Sequence, residues 1–517
     1  MKKNSSRTEN ATINIIIGII YQVVVVITGF IARKIFVITL DVNYLGVNGI
    51  LNNIISVLSI SELGISSAII YSLYKPIAVG NKEKISALIQ YYHKLYNIIA
   101  LIITVIGLLL LPFLKYIINL DLPMSEIIIY YLLFLANTVV SYLFTYKTAI
   151  LIANQQEYEC KKYMLLTNIT QFIFQIVVLL IFHNFFLYLC VQIICSILSN
   201  YLCSRKAEKL YPYINDKKSL KSREKNLIWN NIKSMFTYKI GGVILNNTDN
   251  ILISIILGTV VVGYYSNYSM IITQVSTICG IIFTAMQASL GNLAVEESAE
   301  KKYFIFRVLQ IMSHWIYGFC SICFVVLFQD FITLWLGKDF VLSYGVVIVC
   351  VINFYVQGML YPILCYRNTT GLFKNTKYIM FLASIINLVL SIIGGYIWGL
   401  VGILGATAIS RLTTNCWYEP FILFKKYFRA KPWNYYKTEI IRLILNVFVM
   451  LITVGVANLL VREVSILTFI VKCLICLIVP NILYFILFRK KEEFAYLKNG
   501  VLKELTTKIK NIKSSNI

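Results

Sequence analysis

Charge is scarce in this 517-residue chain: Asp, Glu, Lys and Arg together make 14% of it, and histidine occurs three times. A soluble globular chain carries about 25% charged and about 45–50% apolar residues. Here 59% are hydrophobic and the mean hydropathy is +0.76. An ordinary soluble domain is excluded, and a polytopic membrane protein is implied. The first apolar run lacks a small-residue cleavage site of the A-x-A kind, so it reads as a retained span and not a removed signal peptide. Acidic residues are scarcer than basic ones, 23 against 47, for a net charge of +24. No RNA-binding or helix-turn-helix signature accompanies that excess. The basic residues instead fall beside apolar segments, as in "KKSLKSREK" and "FKKYFRAKPW", the pattern of loops facing an anionic inner leaflet. Membrane lipids are expected partners; nucleic acid is not.

The parts of a catalytic or metal centre are missing too. His93, His183 and His314 lie far apart, with no triad or metal spacing. The pairs Cys320–Cys323 and Cys473–Cys476 sit inside apolar helical runs with no histidine to complete a zinc set. The twelve cysteines therefore read as buried structural thiols, and no metal or organic cofactor is expected. A polyprenyl-dependent glycosyltransferase or polymerase would need paired acids for acid–base work, or one large outer loop. The predicted outer loops are short and hold only scattered acids such as Asp121, Asp330, Asp339 and Glu463. An enzyme is not expected.

What the chain has is long apolar runs. A hydrocarbon core of about 30 Å takes about 20 apolar residues per helix. On that rule the fold class is an all-α polytopic membrane protein with about fourteen spans. The first six run near 16–40, 44–73, 91–119, 125–153, 162–182 and 184–204. The next six run near 233–257, 261–293, 303–328, 342–367, 377–397 and 399–424, and a final pair near 439–460 and 465–488. Most lysines and arginines fall on one side when the N-terminus is inside. Both termini are therefore expected in the cytoplasm of a cell-membrane protein.

The chain also resembles itself. Gly46 in "YLGVN" matches Gly263 in "VVGYY", Asn137 matches Asn353, and Asn200 matches Asn415, at shifts of 215 to 217 residues. Asn168, Gln171 and Gln175 match Ser384, Asn387 and Ser391 in the same way. Six spans per repeat is an even number, so the two lobes are expected to share one orientation as parallel repeats. The expected domains are a six-helix lobe over 1–205, a basic cytoplasmic linker over 206–232 and a second six-helix lobe over 233–430. Two extra helices and a basic tail follow over 431–517.

Polar stripes run along several spans. Asn48, Asn52, Ser56, Ser59, Glu62 and Ser66 share an arc of about 120° on the second. Asn137, Ser141, Thr145, Thr148 and Gln155 share an arc on the fourth, and Asn353, Gln357, Tyr361, Arg367 and Asn368 on the tenth. Lys239, Asn246, Asp249 and Asn250 do so on the seventh. Single stripes are explained by hydrogen bonds between helices; several in both lobes point to a wet lumen. Arg33, Lys147, Lys239, Arg367 and Arg411 outnumber Glu62, Asp249 and Glu419 within the spans, so that lumen favours an anion. Asp249 reads equally as a salt-bridge partner of Arg33 or Lys239 or as a cation site. Lys94, Arg307, Arg442 and Lys472 read as side chains that snorkel to an interface. The substrate-cavity candidates are Arg33, Asn48, Glu62, Lys147, Lys239, Asp249, Asn250, Arg367 and Arg411.

"NYLGVNGILNNIISVLSISELGISSAI" resembles the corresponding segment of polysaccharide flippases in the multidrug/oligosaccharidyl-lipid/polysaccharide exporter superfamily. So do "TDNILIS" followed by "VGYYSNYSMI", "CYRNTTGLFKNTKY" and "GATAISRLTTNCWYEPFILFKKYF". The resemblance covers nearly the whole chain. It implies two six-helix lobes plus two helices, alternating access, and a substrate: an oligosaccharide on undecaprenyl pyrophosphate, moved from the inner to the outer leaflet for surface polysaccharide assembly. Teichoic acid precursors fit the resemblance as well. It implies glycosyltransferases or a polymerase of the same pathway as partners. Asp249 and Glu62 are candidate coupling groups for Na⁺ or H⁺. The nearest alternative is a cation-coupled multidrug exporter of the same superfamily, from which the extra helices and the basic excess differ.

Overall fold

The computed structural model describes residues 7–59, 65–120, 122–216, 218–296, 298–370, 372–461 and 463–498. Within these, the side chains of 7–12, 15, 66–68, 71, 231, 234–235, 237–239, 246, 284–289, 291–296, 373–375 and 377 are left aside. The chain divides into two compact units, Met1–Ser266 and Asn267–Ile517. The first holds α1 (Arg7–Leu40), α2 (Val42–Leu58), α3 (Ile65–Ala78), α4 (Lys82–Leu110), α5 (Leu114–Ile117), α6 (Met124–Ala153), α7 (Glu157–Phe182), α8 (Phe185–Leu210), α9 (Ser222–Leu257) and the start of α10 (Thr259–Glu296). The second holds the rest of α10, then α11 (Ala299–Trp335), α12 (Tyr344–Thr370), α13 (Phe373–Thr413), α14 (Asn415–Leu423), α15 (Trp433–Leu460), α16 (Ile466–Phe488) and α17 (Glu492–Tyr496).

Among the described residues, eleven helical segments are long and apolar enough to cross a bilayer. This is a multi-pass membrane protein. One segment, Tyr378–Phe428, holds 51 residues, which at 1.5 Å each would reach about 77 Å, far beyond one bilayer core. It does not run straight. Gly399 takes φ 59°, ψ −135°, a left-handed conformation that glycine adopts without a Cβ clash. The chain there doubles back between the two spans expected at 377–397 and 399–424. The two arms are zipped together: Asn387 Nδ2 donates to Thr407 Oγ1 at 2.9 Å, and Ser391 Oγ donates to the Ile403 carbonyl at 3.3 Å. They approach so closely at Gly394 and Gly402 that a Cβ on Gly402 would lie 1.9 Å from the Gly394 oxygen. The expected second span is divided into α2 and α3 on either side of residues outside the description.

In the first unit α1 packs on α7, α6 on α4 and α8, and α9 on α2 and α3. Gly46 and Gly263, matched by the sequence repeat, meet each other: a Cβ on Gly46 would lie 2.3 Å from the Thr259 carbonyl, and one on Gly263 2.7 Å from that of Val42. The linker expected over 206–232 is not a loose loop. Ser86 Oγ donates to the Asp216 carbonyl at 2.5 Å, Gln90 Nε2 to that of Ile214 at 2.9 Å, and Lys218 pairs with Glu83 at 3.0 Å. It is strapped along α4.

The second unit shows how the extra helices are held. α15 is inside out. Glu439, Arg442, Asn446, Thr453 and Ala457 are buried, whereas Ile440, Ile441, Leu443, Ile444, Val447 and Phe448 are exposed. Such a helix suits lipid outside and a polar seam inside. On that seam Glu439 Oε1 accepts from Gln310 Nε2 at 2.8 Å and Arg442 Nη1 at 2.9 Å. The seam continues through α16, where Lys472 Nζ pairs with Asp330 Oδ2 at 2.6 Å and Asn481 Oδ1 accepts from Trp315 Nε1 at 2.7 Å. Arg442 and Lys472, read from the sequence as snorkelling, are instead buried in ion pairs.

The glycine contact in the α13 hairpin is directly testable. Gly402→Val forces a side chain into the Gly394 backbone and is expected to lower stability by about 1–3 kcal/mol, read as the thermal midpoint in detergent. Gly455→Ala, on an open face of α15 with no atom within 4 Å of the added Cβ, is expected to leave the midpoint unchanged or raise it.

Candidate functional site

In a membrane helix the physical question is what the exposed side chains face. On α2 Leu45, Val47, Ile50, Leu51 and Ile54 are buried, while Asn52 and Ser56 are exposed and Asn48 is half-buried. That is the reverse of α15, which turns its aliphatic residues outward. Removing an amide or hydroxyl from water without a partner costs about 2–7 kcal/mol. Asn52 Nδ2 donates to the Asn48 carbonyl at 2.7 Å and to the Asn48 side-chain oxygen at 3.4 Å, and Ser56 Oγ donates to the Asn52 carbonyl at 2.8 Å; the exposed amide oxygen of Asn52 keeps its acceptor capacity. The exposed face of α2 therefore suits water and not lipid.

Arg33 stands on the neighbouring α1, half-buried. Its Nη1 donates to Ser266 Oγ at 3.3 Å, and that hydroxyl donates to the Gly263 carbonyl at 2.7 Å. The partner is uncharged, and a guanidinium has five N–H donors, so the side chain keeps capacity for an anion. Asp249 and Asn250 are half-buried on α9, which packs on α2. The Asn250 side-chain oxygen is buried without a hydrogen-bond partner. Arg33, Asn48, Asp249 and Asn250 are thus gathered on three successive neighbours, α1, α2 and α9, within the first unit.

Other candidates are occupied elsewhere. Lys147 on α6 is ion-paired with Glu208 on α8. Arg367 on α12 is buried, with Nη1 2.7 Å from Glu419 Oε1, and the same carboxylate oxygen accepts from Asn415 Nδ2 at 3.0 Å. Arg411 is half-buried on the second arm of α13. Glu62 and the side chain of Lys239 lie outside the described residues.

The other stripes divide in the same way. Ser141, Thr145 and Thr148 donate to carbonyls of their own helix at 2.7–2.8 Å, and Asn353 Nδ2 donates to the Leu404 carbonyl at 2.8 Å. Ser384, Asn387 and Ser391 are fully buried. Asn353, Asn387 and Ser391 tie neighbouring helical arms together, whereas the α6 hydroxyls are satisfied within their own helix. Tyr268 is also in the core, with its hydroxyl accepting from the Leu342 amide at 3.0 Å and donating to Gln329 at 3.3 Å.

Sequence reasoning missed a cavity of about 570 Å³ in the second unit, lined by residues of α11, α12, α13, α14 and α15. Its walls are aliphatic and aromatic, among them Val351, Met359, Leu443, Val447 and Met450, with Glu439 and Asn446 on one wall. Ile352, Trp417, Ile440 and Leu443 are exposed at its edge, so it opens toward the lipid-facing surface. Its volume falls within the range of about 300–1,000 Å³ typical of small-molecule sites. The signal in the sequence was the apolar outer face of α15, whose groove-forming neighbours lie about a hundred residues earlier.

No family model and no curated protein matches the sequence. Solved structures do resemble it. A lipid II flippase, MurJ, in an inward closed conformation superposes with a TM-score of 0.67 at 16% identity, over 91% of this chain and 99% of that one. An inward-facing multidrug resistance transporter of the MATE family in the MOP superfamily gives 0.60 at 13% identity, over 75% and 91%. A MATE transporter of Vibrio cholerae, VcmN, gives 0.56 at 15% identity, over 82% and 99%. The fold is the one these transporters share, as the motifs quoted above imply.

The buried pair yields a stability test. Arg367→Met alone strands the Glu419 carboxylate and is expected to cost about 3–5 kcal/mol. Adding Glu419→Met is expected to restore much of the loss, measured as thermal midpoints of both variants in detergent. Additive losses would show the two side chains to be energetically independent.

Proposed function

We propose that this protein is a flippase that carries undecaprenyl-pyrophosphate-linked oligosaccharide from the inner to the outer leaflet of the cell membrane, for surface polysaccharide assembly, by alternating access through a cationic polar passage. The observation that carries the reading is the outward polar face of α2 beside Arg33. A sugar–pyrophosphate head is polar and anionic and cannot cross hydrocarbon unaided. The Asn48–Asn52–Ser56 face offers it hydrogen bonds, and the Arg33 guanidinium, bonded to the uncharged Ser266 hydroxyl, offers donors to phosphate. The lipid-open apolar cavity in the second unit supports the same reading, because a prenyl chain needs a route that stays in oil. Arg411 adds positive charge on the second unit. Asp249 and Glu62 are the groups through which a Na⁺ or H⁺ gradient would be coupled, and the membrane potential supplies about 2.3 kcal/mol per charge per 100 mV.

A second reading, a cation-coupled multidrug exporter, is favoured by the fold shared with MATE transporters and by the apolar character of the cavity. Proteoliposomes separate the two. Lipid-linked oligosaccharide placed in one leaflet is expected to become accessible to an impermeant sugar-cleaving enzyme on the other side. Arg33→Gln is expected to slow this about tenfold or more, matching the loss of a charge-assisted contact of about 1.5–3 kcal/mol, while Arg33→Lys retains part of it. Cation-driven dye efflux without any movement of the lipid-linked sugar would establish the exporter instead.

A further inference from the structure

The strapped linker closes a second cavity, lined by other residues than the polar face of α2 and different in chemistry. It measures about 350 Å³ and is bounded by the end of α3, the turn into α4 and the beginning of α9. Its floor is apolar: Leu88, Leu220 and Ile228 are buried there. Its rim is charged. Lys84 Nζ lies 2.6 Å from Glu224 Oε1; this ammonium, donating a hydrogen bond, holds the Glu224 carboxyl below its ordinary range. Lys75, exposed at the end of α3, adds a second ammonium, so the rim carries one positive charge more than Glu224 offsets. Val79 and Leu227 are large aliphatic side chains exposed beside it.

An apolar floor under a basic rim fits one kind of molecule: an amphiphile with an anionic head. The cavity is too small for a whole lipid but takes a phosphate and the first part of a chain, with the remainder lying along Val79 and Leu227. The lysine distribution puts this end of the first unit on the cytoplasmic side, where the leaflet is rich in anionic lipid. We propose that this cavity holds the phosphate head of an anionic inner-leaflet phospholipid, with Lys75 and Lys84 as its ligands and Glu224 as the group it displaces from Lys84. Because the wall is the linker itself, anchored by Lys218–Glu83 and by the Ser86 and Gln90 hydrogen bonds, an occupant would bridge α3, α4 and α9. The inference rests on the orientation read from the basic residues and is independent of what the protein transports.

The test uses the full-length protein in neutral detergent, with native mass spectrometry counting retained lipid during titration with phosphatidylglycerol, phosphatidylcholine or inorganic phosphate. One phosphatidylglycerol is expected to be held in preference to phosphatidylcholine. Lys75→Gln with Lys84→Gln is expected to weaken it about tenfold, and Glu224→Gln, which frees Lys84, to strengthen it. Unchanged phosphatidylglycerol retention in the double lysine variant overturns the proposal, as does binding of inorganic phosphate as tight as that of the lipid. If the double variant does not fold, Glu224→Gln decides: unchanged or weaker binding overturns the assignment. A loss of sugar translocation in Arg33→Gln with lipid retention intact keeps the two sites distinct.

Discussion

Hydrocarbon offers no hydrogen bonds, so each polar side chain on a membrane helix has to find a protein partner or reach water. This constraint orders the structure. Where a partner exists, the side chain is buried and becomes a fastening: Asn387 to Thr407 across the α13 hairpin, Arg367 to Glu419, Lys472 to Asp330, and Glu439 between Gln310 and Arg442. Where the side chain stays exposed, as at Asn52 and Ser56, its surroundings have to be wet. The contrast between α15, apolar outside and polar inside, and α2, apolar inside and polar outside, follows from one rule applied to two environments.

The membrane class and the all-α fold were legible because they depend on local runs: about 20 apolar residues name a span whatever lies around them. The α13 hairpin was legible for the same reason, its reversal at Gly399 falling between two such runs. The fate of the charges was not. Lys147 and Arg367 read as cations in a lumen because a helical wheel displays a charge without its partner. Glu208 lies 61 residues and Glu419 52 residues away, separations that no periodicity reports. The seam of α15 was visible in principle, since Glu439, Arg442, Asn446, Val449 and Thr453 recur at intervals of three and four. Its basic member reads as a snorkelling side chain although Glu439 stands three residues before it; what no periodicity reports is Gln310, which completes the seam from a helix more than a hundred residues earlier.

The pairing of Lys147 and Arg367 changes where the positive bias resides. Two of the expected cations are neutralised, which leaves Arg33, beside the exposed face of α2, as the proposed anion-binding group of the first unit. On α12 Asn353 is turned to the Leu404 carbonyl of α13, and on α6 the hydroxyls of Ser141, Thr145 and Thr148 are turned to carbonyls of their own helix. On the proposed reading Arg33 supplies positive charge and the α2 face supplies amide hydrogen bonds to a sugar–pyrophosphate, while the apolar cavity lies within the second unit.

Thiol accessibility in native membranes tests the hydration of α2 most directly. In a cysteine-free background, Asn52→Cys and Ser56→Cys are predicted to react with a charged, membrane-impermeant thiol reagent applied from one side or the other. Ile54→Cys, buried on the opposite face, is predicted to be inert, and Leu443→Cys to react only with a lipid-soluble reagent. Labelling of Asn52→Cys and Ser56→Cys by the lipid-soluble reagent alone would place that face in hydrocarbon and contradict the account.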